Sequence, residues 1–283
     1  MNFLPVKLMN LENDGLNMAV DKQFIYIRCK KAMYKFNLSD MSQAAHRDIL
    51  KKDGKARGFT VCGSFIFLWD FCDLYILNKA DLQIQNTFRL GTDLSSDIMG
   101  AQFDSQKLYV AIRNGKMSVI DMYTKNIDRF DIAGSSFWDY CVAANRIYAG
   151  TVRGELLEID KDSMRVIRKA ELSKNKNIYS ILPDNGSLYL VSQDRSIKAV
   201  DIASFQTLCT AKKAVGNMAQ ILGKFHDCLA VADSNKVSFW DVQSLQHQYT
   251  IDIPTGAWSK GVVLAGNRLI GSDMHSIYSV ELK

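Results

Sequence analysis

The sequence lacks the features that mark membrane-spanning and secreted proteins. It contains no run of about 18 apolar residues that could cross a bilayer as a helix. The N-terminus shows no charged segment followed by an apolar one, which is the usual pattern of a secretory leader. We therefore expect a cytoplasmic protein that makes no contact with a membrane.

Closely spaced cysteine pairs are also missing. The six cysteines lie mostly within apolar segments and are Cys29, Cys62, Cys72, Cys141, Cys209 and Cys228. Zinc sites need Cys or His ligands at short, regular spacing, and small secreted domains need a disulfide framework, and neither pattern is present. The sequence therefore predicts no metal site and fits a reducing compartment.

Catalytic motifs are absent as well. We find no Gly-x-Ser-x-Gly elbow, no phosphate-binding Gly-rich loop and no pairing of His with acids at metal-binding spacing. His275 lies near Asp273, where a general base is conceivable, but a solvent-exposed turn histidine is the simpler interpretation. We expect a protein that is not an enzyme and that binds no cofactor.

The net charge by itself excludes few classes of function. The net charge is +5 for 283 residues, which is too small an excess to indicate nucleic acid without clustering of the basic residues. Clusters do occur in three stretches, at residues 51–57, 173–176 and 212–213. Ordinary solvated loops also carry lysine, so the clusters matter only if the fold brings them to one surface.

What the sequence does contain is a repeat. An Asp, Asn or Glu that directly follows an apolar residue occurs seven times, at intervals of 39 to 43 residues. These polar residues are Asn37, Asn78, Asp121, Asp160, Asp201, Asp241 and Glu281. A second apolar residue stands four positions before each of them. A period of about 40 residues indicates stacked units of one architecture.

Each copy has the pattern of four short strands. In the sixth copy, residues 218–222 and 228–232 are apolar runs, whereas residues 236–240 and 248–253 alternate between apolar and polar. Alternation with a period of two is typical of strands in a layered sheet. The polar residue that ends the third strand can accept bonds from backbone N–H groups and fix the following turn, so we interpret these acids as turn caps.

Seven four-stranded sheets predict an all-β chain folded as a seven-bladed β-propeller, a single domain over residues 1–283. The seventh copy ends after its third strand, whereas residues 3–8 precede the first copy and belong to no repeat. We expect residues 3–8 to supply the missing outer strand of the last blade and so close the ring. Pro5 suits an outer strand, where a missing N–H is tolerated.

The end of the sixth copy resembles the WD40 repeat. Residues 233–241 (DSNKVSFWD) place an Asp and a small turn before an apolar strand closed by Trp-Asp, and residues 272–281 (SDMHSIYSVE) are similar. The resemblance covers the whole chain by period and these two copies by motif. The Gly-His pair that opens many WD40 repeats is missing, so we expect the blades to rely more on apolar packing. The resemblance implies a scaffold or adaptor.

One rim of the predicted propeller carries the candidate site. The turns between second and third strands and the loops between blades open on this rim. The expected partner-binding residues are Arg28, Lys30, Arg57, Trp69, Arg113, Trp138, Arg153 and Trp258. Arg113 and Arg153 are the first choices, because the corresponding positions in other copies are not basic and turn geometry does not demand them. The tryptophans could equally fill gaps between blades.

The sequence therefore predicts a monomeric, non-catalytic platform for a protein or peptide partner. The basic residues favour an acidic or phosphorylated segment, because arginine offers two-pronged hydrogen bonds to such groups. The alternative is a propeller enzyme that uses its central channel as a hydrolase or quinone-dependent oxidoreductase, similar to lactonase-like or pyrroloquinoline-quinone-like propellers. RNA binding through the loop lysines ranks last.

Overall fold

The computed structural model describes residues 5–10, 15–29, 32–49, 57–92, 96–254, 261–273 and 275–282. Two of the expected partner-binding residues, Lys30 and Trp258, lie outside these ranges. The first strand, β1 (Val6–Asn10), belongs to the last sheet, and the other sheets follow in chain order.

The first four blades each contain four consecutive antiparallel strands. Blade 1 has β2 (Gly15–Val20), β3 (Phe24–Cys29), β4 (Ala32–Asn37) and β5 (Gln43–Asp48). Blade 2 has β6 (Gly58–Cys62), β7 (Phe65–Trp69), β8 (Asp73–Asn78) and β9 (Ile84–Arg89). Blade 3 has β10 (Ile98–Asp104), β11 (Lys107–Ile112), β12 (Lys116–Asp121) and β13 (Ile127–Asp131). Blade 4 has β14 (Phe137–Ala143), β15 (Arg146–Thr151), β16 (Glu155–Asp160) and β17 (Val166–Glu171).

The last three blades complete the set of seven, as the repeat predicts. Blade 5 has β18 (Ile178–Asp184), β19 (Ser187–Ser192), β20 (Ile197–Asp201) and β21 (Thr207–Ala211). Blade 6 has β22 (Gln220–Phe225), β23 (Cys228–Asp233), β24 (Lys236–Asp241) and β25 (His247–Asp252). Blade 7 has β26 (Val262–Ala265), β27 (Arg268–Ser272) and β28 (Ser276–Glu281), with β1 as its fourth strand. A short 3-10 turn, Arg113–Gly115, follows β11.

The predicted closure by the N-terminal strand is confirmed. Strand β1 pairs antiparallel with β28, with Val6 opposite Ser279 and Asn10 opposite Ser276. The strand occupies residues 6–10 rather than the predicted 3–8, and residues 3 and 4 lie outside the described ranges. Pro5 stands immediately before the strand. No hydrogen bond of the sheet is needed from its backbone nitrogen there, so the missing N–H is tolerated.

Burial along the strands explains why the sequence alternates in some and not in others. The third strand of blade 4, β16, is buried at its four central positions, so it presents apolar residues to both faces. The outer strand β17 alternates between partly buried and exposed residues over its whole length. β16 is therefore mostly apolar on both faces, with the buried Glu158 paired to Arg146 and Arg168, whereas the outer strand β17 shows clean alternation.

The chain divides into two compact units. The first unit comprises residues 1–89, 222–242 and 247–283, and the second comprises residues 90–221 and 243–246. In the first unit, apolar side chains of neighbouring blades share one core, as where Ile27 and Phe36 pack with Ile270 and Ile277. In the second unit, blades 3 and 4 and blades 4 and 5 share cores of the same kind.

The acids at the ends of the third strands of blades 4 and 5 are turn caps, as expected from the sequence, whereas Glu281 accepts from the Asn267 side chain. The Oδ1 atom of Asp160 accepts from both the backbone N–H and the hydroxyl of Ser163, at 2.9 and 2.8 Å. Asp201 accepts the same pair of bonds from Ser204, both at 2.6 Å. These carboxylates are therefore used within their own turns.

Charged contacts supplement the apolar packing between blades 1 and 2. The Asp21 carboxylate of blade 1 lies 3.1 Å from Lys79 Nζ of blade 2, and it accepts from Gln23 N, Phe24 N and the Tyr26 hydroxyl. Burial by itself raises the pKa of Asp21, but these donors outweigh it and lower the pKa to about 2.

This network predicts an acid-sensitive contribution to stability. The folded-state pKa of Asp21 is depressed, so its contribution is complete above pH of about 4 and is lost as the pH falls toward 2. Asp21→Asn should therefore lower the free energy of unfolding by about 2 kcal/mol at pH 7 and by much less near pH 2.5. Urea unfolding across this range tests the prediction, and a variant-to-wild-type difference that is independent of pH would contradict it.

Candidate functional site

A continuous surface of the second unit carries two of the expected partner-binding residues, Arg113 and Arg153, and Trp138 lies at its edge. Its turns follow the second strands of blades 3, 4 and 5, and its loops follow the fourth strands of the same blades. We call it the rim surface, and its residues are 113–115, 132–136, 152–154, 172–177, 193–195 and 212–215.

The loop before blade 4 joins the first two turns. Ser136 Oγ accepts from Asn114 N at 2.9 Å, and the carbonyl oxygen of Ser136 accepts from Val152 N at 3.0 Å. One serine therefore holds the turns of Arg113 and Arg153 on either side of it. Trp138 lies two residues further along the chain, at the start of β14.

The loop before blade 5 joins the second and third turns in the same way. Asn175 N donates to the carbonyl oxygen of Arg153 at 3.0 Å, and Gln193 N donates to that of Asn177 at 2.8 Å. The next loop is tied to the third turn, where Ala214 N donates to the carbonyl oxygen of Arg195 at 2.8 Å. The backbone thus fixes the turns and loops of all three blades relative to one another.

The rim surface is strongly basic. It contains seven basic residues and one acid, and the basic residues are Arg113, Arg153, Lys174, Lys176, Arg195, Lys212 and Lys213. The one acid, Asp194, is held by Lys198 at 2.9 Å. At the opposite ends of the same strands the two signs are mixed, with Asp104, Asp121, Asp160, Asp184 and Asp201 beside Lys107, Lys125, Arg146, Lys161 and Arg165. The excess of positive charge is therefore a property of the turns and loops of the rim surface and is not shared by the opposite ends.

Arg113 has a structural role that the sequence analysis did not anticipate. Its Nη2 atom lies 2.9 Å from Oδ2 of Asp97, a fully buried carboxylate, while 42 % of the Arg113 side chain remains exposed. Arg113 N also donates to the carbonyl oxygen of Asp97 at 2.9 Å. From the sequence, turn geometry was not expected to demand this arginine. That expectation needs correction, because the buried carboxylate of Asp97 depends on Arg113 for a compensating charge.

Arg153 is the better candidate for contact with a partner. It is exposed, and its guanidinium has no ion-pair or hydrogen-bond partner within the described ranges. Its backbone N–H donates to Thr151 Oγ1 at 3.2 Å, which fixes the turn without using the charge. The side chain is therefore available to bind an anion.

Trp138 is half-buried beside the rim surface. Its ring meets the ring of Tyr179 edge to face, with centroids 5.2 Å apart. Tyr179 belongs to the next blade, and burial raises the pKa of its hydroxyl. Because Trp138 contacts a neighbouring blade and keeps part of its surface open, it both fills a gap and presents an apolar face.

The other expected residues that the structure describes, Arg28, Arg57 and Trp69, lie in the first unit. Arg28 is only 5 % exposed, donates to Asn17 Oδ1 at 2.9 Å and has its pKa lowered to about 10 by burial. Trp69 is buried against Gly58, where an added Cβ would lie 2.4 Å from the indole ring. The burial of both side chains argues against direct contact with a partner, and reflects strands enclosed on both faces.

Arg57 differs from these two residues, because it is exposed and stacks over the Phe71 ring at 3.8 Å. Its backbone N–H donates to the carbonyl oxygen of Trp69 at 2.8 Å, so the fold brings Arg57 and Trp69 together. Arg57 is therefore tied both to the Phe71 ring and to the backbone of Trp69.

Sequence reasoning missed a buried polar cluster beside the rim surface. Lys198 Nζ lies 2.7 Å from Ser173 Oγ, 2.5 Å from Ser196 Oγ and 2.9 Å from Asp194 Oδ2, and Lys198 is 8 % exposed. Burial raises the pKa of Asp194, but the serine hydroxyls and Lys198 outweigh it and hold the pKa well below its usual range. The signal was the alternation Ser-x-Asp-x-Ser-x-Lys over residues 192–198.

In the described part of the chain, no group of three or more His, Cys, Asp or Glu residues is arranged to hold a metal ion. No helix in the described ranges is long and apolar enough to span a bilayer. The six cysteines are free thiols.

Comparison with known proteins establishes the fold. No family model matches the chain, and no curated protein matches its sequence. A chain of the mitotic checkpoint complex matches with a TM-score of 0.82 and 13% identity, over 100% of this chain and 94% of its own. The β-propeller domain of Cps50 (Swd1) from Myceliophteria thermophila matches at 0.75 and 13%, over 97% and 99%. The computationally designed Ika8 protein matches at 0.73 and 10%, over 98% and 99%.

The chain is thus a seven-bladed β-propeller. These likenesses extend over nearly the full length of both partners in each comparison. At identities of 10–13% they establish the architecture, and they say nothing about what this propeller binds.

Proposed function

We propose that this propeller is a non-catalytic platform that binds an acidic or phosphorylated segment of a protein partner through the rim surface. The observation that carries the proposal is the basic surface that the hydrogen bonds of Ser136, Asn175 and Arg195 hold together across three blades. Fixed cations lower the ordering cost of binding, since the protein does not have to assemble them when the partner arrives.

Several further features belong to the same proposal. We infer that the chain is a WD40-like propeller forming a single domain, that it is monomeric by itself, and that it works in the cytoplasm. Six free thiols fit a reducing compartment. One of the structurally similar chains comes from a protein complex, which fits a role in assembly.

The test compares two double charge reversals within the second unit. Arg153→Glu with Lys176→Glu changes the rim surface, whereas Lys125→Glu with Arg165→Glu makes the same change in charge at the opposite ends of the strands. All four side chains are exposed. We expect the rim variant to lose at least about tenfold in partner affinity and the control to stay within about twofold.

The measurement is quantitative affinity purification from a lysate, followed by titration of the recovered partner against each variant. Both variants should melt within about 2 °C of the wild type, because none of the four residues belongs to a buried ion pair. Equal partner recovery with the rim variant and the control would overturn the rim assignment.

A further inference from the structure

The rim surface and the aromatic pair at its edge offer two kinds of subsite side by side. The partly exposed Trp138 ring forms the apolar one, backed by the buried ring of Tyr179, whose hydroxyl lies within hydrogen-bonding reach of the Asn177 side chain. Asn177 ends the loop that carries Lys174 and Lys176. The aromatic pair therefore adjoins the basic loop directly.

Three cations are gathered at the other subsite. Asn175 N bonds the carbonyl oxygen of Arg153, so Lys174 and Lys176, on either side of Asn175, flank the Arg153 turn. Within the described ranges none of these three cations has an ion-pair partner, and all are exposed. The acids in the flanking strands are Glu155, which pairs with Lys169 at 3.5 Å, and Glu171, which ends β17 before the loop. Like charges held together in this way favour a multivalent anion over a single carboxylate.

A buried hydroxyl lies behind the same junction. Ser135 is 7 % exposed, and its Oγ is enclosed and has no hydrogen-bond partner among the residues that the structure describes. It directly precedes Ser136, which holds the Arg113 and Arg153 turns. Ser135→Ala therefore removes an enclosed hydroxyl and leaves the cations of the rim surface in place.

We propose that the rim surface recognises a phosphorylated serine or threonine together with a large apolar side chain next to it in the same segment. Arg153, Lys174 and Lys176 bind the phosphate, and the Trp138–Tyr179 pair receives the apolar side chain. This proposal rests on the proposed function and adds the chemistry of the segment. An acidic run without phosphate, or without the apolar residue, lacks one of the two contacts and binds more weakly.

The experiment uses three degenerate 11-residue peptide libraries whose central residue is phosphoserine, serine or glutamate. Each library is passed over the immobilised full chain, and the retained peptides are sequenced by mass spectrometry. We expect the phosphoserine library to be retained at least tenfold over the other two. Phe, Leu, Ile or Met should be enriched at one position within two residues of the phosphoserine.

Two variants separate the subsites. Arg153→Glu should abolish the preference for phosphoserine, whereas Trp138→Ala should abolish the apolar preference and retain that for phosphate. Ser135→Ala serves as a variant that does not threaten folding, because it removes an unpaired buried hydroxyl. It should keep or raise the melting temperature and retain the phosphoserine library as the wild type does.

The outcomes distinguish this inference from the proposed function. Equal retention of the three libraries, or no apolar enrichment, overturns the two-subsite proposal. Selectivity that survives both Arg153→Glu and Trp138→Ala also overturns it, because it would place the contact elsewhere. If the libraries fail while the rim charge reversal still removes the lysate partner, the platform role stands and only the chemistry assigned to its segment is wrong.

Discussion

Gly154→Ala should destabilise the protein by about 3 kcal/mol or more. Gly154 has a φ of +83° and lies in the turn between β15 and β16. An added Cβ would lie 1.7 Å from the carbonyl oxygen of Ser173 and 2.8 Å from that of Lys176. The backbone of the 172–177 loop must move to relieve this contact, and the left-handed conformation costs an alanine a further 1–2 kcal/mol.

Gly186→Ala is the matched control. Gly186 has nearly the same φ, +80°, and an added Cβ there meets nothing within 4 Å. We expect Gly186→Ala to lower the free energy of unfolding only by the cost of the left-handed backbone conformation, about 1 kcal/mol. Urea unfolding at pH 7 measures both values. Equal costs for the two variants would show that the close approach of the 172–177 loop to Gly154 does not exist.

Gly154→Ala should also weaken partner binding, because the 172–177 loop that must move carries Lys174 and Lys176. Gly186 lies in the turn between the first two strands of blade 5, at the opposite end from the rim surface. A variant that lost stability without losing affinity would indicate that the position of this loop is unimportant for binding.

Lys198→Met should have the second large effect and lower the free energy of unfolding by about 2–3 kcal/mol. Methionine preserves the volume and removes the charge that Asp194, Ser173 and Ser196 surround. Removing one member of a buried charge pair leaves the other without compensation, although Asp194 is 35 % exposed and regains some solvation. The loss should appear as a lower midpoint of urea unfolding with an unchanged slope.

Lys169→Met provides the comparison at an exposed ion pair. Lys169 is 69 % exposed and lies 3.5 Å from Glu155. Pairs of this kind contribute at most about 1 kcal/mol, so the substitution should be nearly neutral. If the two substitutions lower the free energy of unfolding equally, the buried cluster contributes no more to stability than a surface pair does.

The sequence predicts the architecture because one period governs the whole chain. Each third strand ends in a polar residue, and the side chains of Asp160 and Asp201 close the next turn with Ser163 and Ser204. Strand β1 was predictable because the last copy has three strands and the first residues have no copy. The exact pairing was not, since register depends on contacts with β28 that have no local signature.

The candidate site was predictable only in outline. Alignment of the copies places Arg113 and Arg153 in equivalent turns, and both turns do lie on the rim surface. The pairing of Arg113 with Asp97 joins residues of two different loops, which no repeat pattern reveals. The burial of Arg28 follows from the enclosure of β3 on both faces, whereas the sequence shows only a basic residue near a strand end.

Lysine footprinting tests the central claim most directly. The full chain, with and without its recovered partner, is acetylated briefly, and the rate at each lysine is measured by mass spectrometry. We predict that the partner slows acetylation of Lys174 and Lys176 at least fivefold and leaves Lys125, in the opposite turns, and Lys169, on the outer strand, unchanged. Protection of Lys125 or Lys169 with full reactivity at Lys174 and Lys176 would contradict binding through the rim surface.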